Sequence, residues 1–131
     1  MILLDTHAWL WWASASPELP SSARQLIDQA VRDSEAAISC ISAWEIALLV
    51  ARNRLELAMQ VEEWVDAFDE MEGLSFIPVT NPIGLRAVAL PGSFHSDPAD
   101  RIIVATAQAL DATLITRDAR IRAYAHVRCA W

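Results

Sequence analysis

The stretch His95–Asp118, HSDPADRIIVATAQALDATLITRD, most constrains how this chain can fold. Asp97-Pro98-Ala99-Asp100 is a helix opening: Asp97 can cap the free N–H groups, Pro98 suits the first helical position, and Asp100 falls in the first turn. Ile102 to Leu110 is almost wholly apolar, so this helix is expected to be buried on most sides. Asp111-Ala112 turns the chain, and Thr113 to Thr116 has the β-branched content of a short central strand. Asp118 stands just past it. In open α/β sheets, sites form at the carboxyl ends of strands and the amino ends of helices, the zone in which Asp100 and Asp118 fall.

The remainder repeats this alternation. Ile2 to Asp5 reads as a short buried strand ending in an acid, and Thr6 to Ser14 as a helix carrying Trp9, Trp11 and Trp12. A helix from Ser21 or Ser22 to about Arg32 precedes a strand over Ala36 to Ser39. Ser42-Ala43-Trp44-Glu45 has capping-box spacing before an apolar run, which predicts a helix to about Arg54. Val61 to Glu72 sets Trp64, Val65, Phe68 and Met71 on one helical stripe, ended by Gly73. Ser75 to Val79 reads as a strand. Asn81 is expected to cap a helix opened by Pro82, a short helix follows Asp118, and Val127 to Ala130 reads as an edge strand. Strands alternating with helices over short connections predict an α/β fold, one domain over 1–131, with a parallel sheet covered on both faces.

Apolar residues make up 54% of the 131 residues, which fits a two-sided core or a buried oligomer face. The net charge of −7 counts against a nucleic-acid binder, unless four acids hold divalent metal and leave an excess of about three. All ten basic residues are arginine, the better residue for bidentate phosphate contacts. Cys40 and Cys129 lack metal-ligand spacing and are expected to be buried, reduced thiols of a cytosolic protein. Ala13-Ser14-Ala15 mimics a signal-peptidase site, but Asp5 interrupts the apolar run before it and no basic segment leads it. Neither a signal peptide nor a membrane span is expected.

Four carboxylates occupy comparable places. Asp5 ends a strand, Glu45 and Asp100 lie in first turns of helices, and Asp118 follows a strand. With parallel strands, all four project from one edge of the sheet. A hard divalent cation such as Mg²⁺ takes oxygen ligands of this kind, and can generate hydroxide and stabilise charge on phosphorus. Each acid singly has a structural role open to it: capping for Glu45 and Asp118, the helix dipole for Asp100. Asp5, beside Leu4 and the tryptophans, needs a partner or a metal.

These residues also carry a resemblance. LLDTHAWLWW, SAWEIALL, HSDPADRIIVATA and TLITRD look like the four segments of PIN-domain ribonucleases, above all the VapC toxins of bacterial toxin–antitoxin pairs. The resemblance runs in order over nearly the whole chain. It implies a three-layer α/β/α PIN-like fold with a central parallel sheet, and endonucleolytic RNA cleavage dependent on Mg²⁺ or Mn²⁺. It also implies a VapB-type antitoxin that inhibits by occupying the site. Carried over one at a time, the family acids are Asp5, Glu45, Asp100 and Asp118. Asp5, Asp100 and Asp118 would hold metal, with Glu45 completing the cluster. A metal-activated water would then cut the RNA, leaving a 5′-phosphate and a 3′-hydroxyl.

Around these acids, Asp97 reads first as a helix cap, and Thr6 and Thr116 as hydroxyls that orient waters, carboxylates or only backbone. Arg101 and Arg117 either contact RNA phosphates or pair with neighbouring acids. His7, His95 and His126 have no ligand spacing; His95 is the one expected to approach RNA. Trp9, Trp11 and Trp12 cannot all face inward from one short helix, so at least one is expected in a homodimer or antitoxin interface. A dehalogenase-like phosphatase would need an acid at His7 and a lysine, which the chain lacks. A catalytically silent PIN-like module, acting only through its antitoxin complex, is the alternative; the intact acids argue against it.

Overall fold

Leu3 and Leu4 are neighbours in sequence, yet they serve opposite faces of one sheet. The computed structural model describes residues 1–131. In chain order it holds β1 (Ile2–Leu4), α1 (Thr6–Ala13), α2 (Ser21–Arg32), β2 (Ala36–Ser39), α3 (Cys40–Ala51) and α4 (Val61–Asp69). These are followed by β3 (Leu74–Ile77), α5 (Asn81–Val88), α6 (Pro98–Leu110), β4 (Thr113–Ile115), α7 (Ala119–Arg122) and β5 (Cys129–Ala130). All strand pairs are parallel, in the order β3-β2-β1-β4-β5.

Side chains alternate across a strand, so each strand feeds two cores. Leu3, Ala37 and Leu114 pack with Ile83 and Ala87 of α5, Ile103 and Val104 of α6, and Ile121 of α7. Leu4, Ile38 and Ile115 pack with Trp9 of α1, Ala23 and Ile27 of α2, and Ile46 of α3. The chain steps from β1 to β2 to β3, then returns over the sheet to β4 and β5. Right-handed crossovers require the helices of the return to lie on the opposite face from the helices of the outward steps. The result is the three-layer α/β/α arrangement with a parallel central sheet that the sequence predicts.

Local chemistry sets the helix ends. The Asp97 carboxylate accepts the Asp100 N–H at 2.9 Å, and Pro98 opens α6. Ile103 to Ala107 are all buried. Asp111 ends this helix at φ 51°, a left-handed conformation that aspartate tolerates. Two expected caps are corrected. Helix α3 begins at Cys40 under Ser39, whose hydroxyl accepts the Ile41 N–H, and not at Ser42. Ser42 is fully buried and faces Thr6, so the S-x-x-E spacing here is not a capping box. Helix α5 is capped by Thr80, and Asn81 is its first residue. The thiols also depart from expectation: Cys40 is exposed at the head of a helix and Cys129 is only partly buried, both of them free.

Trp9 is fully buried, its ring 4.8 Å from Trp64, 5.5 Å from Phe68 and 5.4 Å from Phe76. Trp12 meets the same Phe68 from one turn on. Gly73, between α4 and β3, has φ +88°, and a β-carbon there would come within 2.0 Å of the Val31 carbonyl oxygen. Gly73→Ala therefore combines a strained backbone with a backbone clash. It should cost at least about 2 kcal/mol in chemical denaturation; wild-type stability in that variant would contradict the close approach of α2 to this turn.

Candidate active site

The order of the sheet reverses direction between β1 and β4, and a crevice opens beyond the carboxyl ends of these two strands. Asp5 follows β1 directly. Its amide donates to the Ile115 carbonyl at 3.1 Å, tying it to the end of β4, and its carboxylate caps α1 by accepting the Ala8 N–H at 2.8 Å. Thr116 follows β4 and is fully buried. Its hydroxyl oxygen accepts the Asp118 N–H, while the Asp118 carboxylate caps α7 through Arg120 N–H at 2.8 Å and Ile121 N–H at 3.2 Å.

Helices running antiparallel to the strands bring their amino ends to the same edge. Asp100 comes from the first turn of α6. Glu45 comes from α3, in its second turn because the helix starts at Cys40. Thr6 bonds both Glu45 and Ser42. A hydroxyl has one proton and an ionised carboxylate can only accept, so Thr6 donates to Glu45 and receives from Ser42. The four sequence-predicted acids and Asp97 all line one cleft of about 360 Å³.

Crowding shows in the proton affinities. Burial and the charges of Asp97, Glu45 and Asp118 push Asp100 from 3.8 up to about 7, against the pull of Arg120. Burial raises Asp5 in spite of the Thr116 hydroxyl and the Ala8 N–H, and raises Glu45 in spite of Thr6. Asp118 goes the other way. Some burial opposes its charge, but the N–H groups of α7 and the Arg120 guanidinium together hold it below the usual carboxylate value. No three of these side chains, histidines included, close on a common metal-sized point. Glu45 is held by Thr6 and Asp118 by the first turn of α7. Asp100 lies 3.3 Å from His95 Nε2, at a distance suited to an ion pair but without hydrogen-bond alignment.

The two arginines divide: Arg117 pairs with an acid, one of the two roles expected of it, and Arg101 binds only backbone. Arg101 turns away from the cleft and donates to the carbonyls of Ala87, Val88, Phe94 and His95, which fixes the loop before α6. Arg117 pairs with Glu18 and lies over the Trp11 ring at 4.3 Å. Arg117 also lines the cleft, and so does a second cation, Arg120, which sequence reasoning passed over. Its guanidinium is 3.4 Å from Asp118 and 3.8 Å from Asp100, and the side chain is largely exposed. The Asp118-x-Arg120 spacing holds only a weak hint of this, since pairing two residues apart is not a helical contact.

The PIN domain profile matches residues 2–127. The chain belongs to the PIN domain family. This PIN domain is 38% identical over 127 residues to Ribonuclease VapC22 of Mycobacterium tuberculosis, covering 97% of this chain and 94% of that one. Among solved structures it resembles VapBC2 from Rickettsia felis bound to a DNA fragment from their promoter, with TM-score 0.70 and 20% identity over 99% of this chain and 98% of that one. It also resembles a toxin–antitoxin complex from Klebsiella pneumoniae, with TM-score 0.65 and 23% identity over 97% and 95%. At such identities the structural likeness establishes the PIN fold.

Proposed function

We propose that this chain, acting as one domain over 1–131, is a divalent-metal-dependent endoribonuclease, the toxin of a VapBC-type pair. The observation that carries the reading is the cleft at the sheet's switch point, lined by Asp5, Glu45, Asp97, Asp100 and Asp118. The identity to a named VapC ribonuclease over nearly the full length of both chains supports it. So many acids facing one small space, one of them raised to about 7, make a donor set of hard oxygens short of positive charge. Mg²⁺ or Mn²⁺ fits such a set, because Mg²⁺ keeps several waters and needs only one or two direct carboxylates. Asp5, Asp100 and Asp118 would hold it, one or two of them directly and the rest through water. When bound, the cation would supply Lewis acidity at the phosphate and make water a stronger acid.

The chain's own residues have definable tasks. Thr6 fixes Glu45 so that its free oxygen can accept a proton from an attacking water. Thr116 fixes the Asp118 backbone, and the N–H groups of α7 together with Arg120 favour the charged Asp118 carboxylate. Arg120 offsets the acids' charge from the rim.

The VapB-type partner has a place in this reading. Leu10, Trp11, Leu55, Leu57 and Trp64 line an apolar groove of about 300 Å³, and Trp11 also lines the acid cleft. A peptide segment in that groove would reach the site. A homodimer would use other apolar surface, such as Leu85 and Val88, one turn apart and exposed on α5. The protein would act in the cytoplasm, and no helix is long and apolar enough to cross a membrane.

The test incubates the purified chain with transfer, ribosomal and messenger RNA in Mg²⁺ or Mn²⁺. Cleavage that leaves 5′-phosphates and stops with chelator is expected. Activity indifferent to chelator would overturn the metal role, and intact RNA of all three classes would overturn the nuclease.

A further inference from the structure

Beside the acid cleft lies a second hollow of about 400 Å³. Its wall carries His95, His126, Arg120, Phe94 and Tyr124, and no carboxylate. In a chain of net charge −7, a concave surface with three nitrogen bases and no acid runs against the average. The two hollows adjoin. Arg120 lines both, and His95 reaches from this one to within 3.3 Å of Asp100. His95 Nε2 is shielded from solvent there without an aligned hydrogen-bond partner.

The rings of this wall form a continuous series. Centroids are 4.3 Å apart from His95 to Phe94, 4.8 Å from Phe94 to Tyr124, and 5.2 Å from Tyr124 to His126. The series is held from behind. The buried Tyr124 donates its hydroxyl to the Pro91 carbonyl, and Arg101 bonds the carbonyls of Phe94 and His95. The His126 carbonyl accepts from Gln108 at 3.1 Å, while the residue itself is exposed. Gly92 sits opposite at φ +68°; a β-carbon there would stand 3.6 Å from His126 Nε2 and narrow the opening.

We propose that this hollow is a nucleotide subsite, taking an unpaired nucleotide of RNA next to the phosphodiester presented to the acids. It rests on the ribonuclease reading above. The base packs against the His126 end of the ring series, and the adjoining phosphate lies toward Arg120 and His95. Unstacked bases offer π-faces that aromatic rings accept with little regard for sequence. A phosphate strand crossing a cleft of carboxylates is repelled by them, and the adjoining wall without acids gives its next phosphate a favourable place.

The test uses the full chain with Mn²⁺, short single-stranded RNA oligonucleotides, and nucleoside 5′-monophosphates. His126→Ala removes the exposed ring, and Ser93→Glu sets a carboxylate in the hollow. Both positions are exposed, and wild-type melting temperatures check that the variants fold. Each variant should raise KM for RNA about 10-fold, more than it lowers kcat, and leave the thermal shift caused by Mn²⁺ unchanged. In the wild type, nucleoside monophosphates should shift the NMR signals of Gly92 and His126, and the variants should lose that response. Unchanged KM in both variants of a protein that cuts RNA overturns the subsite and leaves the nuclease standing. Equal shifts from inorganic phosphate alone reduce it to an anion site and overturn base recognition. If the wild type cuts nothing, the nuclease reading falls, and the nucleotide titration alone then upholds or overturns the hollow.

Discussion

Replacing Asp5 by asparagine is expected to stop RNA cleavage while leaving the fold as stable as before, or more so. Asp5 serves two ends that chemistry can separate. As a cap it needs an oxygen to accept the Ala8 N–H, and asparagine provides one as well as aspartate does. As a proposed metal ligand it needs a negative charge, which asparagine lacks. The charge is a burden to the metal-free fold, since the residue is only 9% exposed and its burial raises its proton affinity. Removing it should not lower the melting temperature. Losing a group that merely supports a metal ligand costs 10–100-fold, so losing the ligand itself should cost at least about 100-fold in kcat/KM. Asp5→Ala adds the loss of the cap, about 1 kcal/mol of stability, and serves as the control for structure. Cleavage by Asp5→Asn at the wild-type rate would remove this residue from the machinery.

Where a property is decided by neighbours in sequence, it was legible before any coordinates. The D-P-A-D opening of α6, its apolar body and the strand after it follow from local capping and periodicity, and the structure reproduces them. The alternation of strands and helices fixed a parallel sheet, and a parallel sheet places strand ends and helix starts at one edge. That is why Asp5, Glu45, Asp100 and Asp118 could be expected to share an edge, and they line one cleft. What failed depended on partners remote in sequence. Ser42 has the spacing of a cap, but Thr6, thirty-six residues away, takes its side chain inward, and Ser39 caps instead. Arg101 follows Asp100 directly, and successive helical residues cannot face the same way. With Asp100 turned to the cleft, Arg101 had to leave it, which the sequence did contain. Arg120 enters the site because α7 is short and starts at Asp118, a geometry that no periodicity announces.

Asp100 should make metal-free stability fall as pH rises from about 4 to 7, and Asp100→Asn should remove its share of the fall, leaving the part due to Asp5 and Glu45. The folded state holds this proton more tightly than the unfolded chain, because burial and three neighbouring acids raise it from 3.8 to about 7. Below the unfolded value the group is neutral in both states and contributes nothing. Between the two values only the unfolded chain gives up the proton readily, so the folded state loses ground, and above the folded value the loss is complete. At about 1.4 kcal/mol per tenfold change in proton affinity the shift sets a ceiling near 4 kcal/mol. Solvent at the cleft mouth screens it, and the amino end of α6 favours the charge by about 0.3–1 kcal/mol. A net effect of about 1–2 kcal/mol remains, or about 5 °C in melting temperature for a chain this size. Asp100→Asn should therefore melt above the wild type at pH 7.5 without metal, and the gap should close below pH 4. Added Mn²⁺ should reverse the order at pH 7.5, since only the wild type keeps the carboxylate, and its gain should shrink below pH 7 as protons compete. A metal-free wild type that outlasts Asp100→Asn at pH 7.5 would mean that the acids do not strain the fold, and the argument for a missing cation would lose its electrostatic basis.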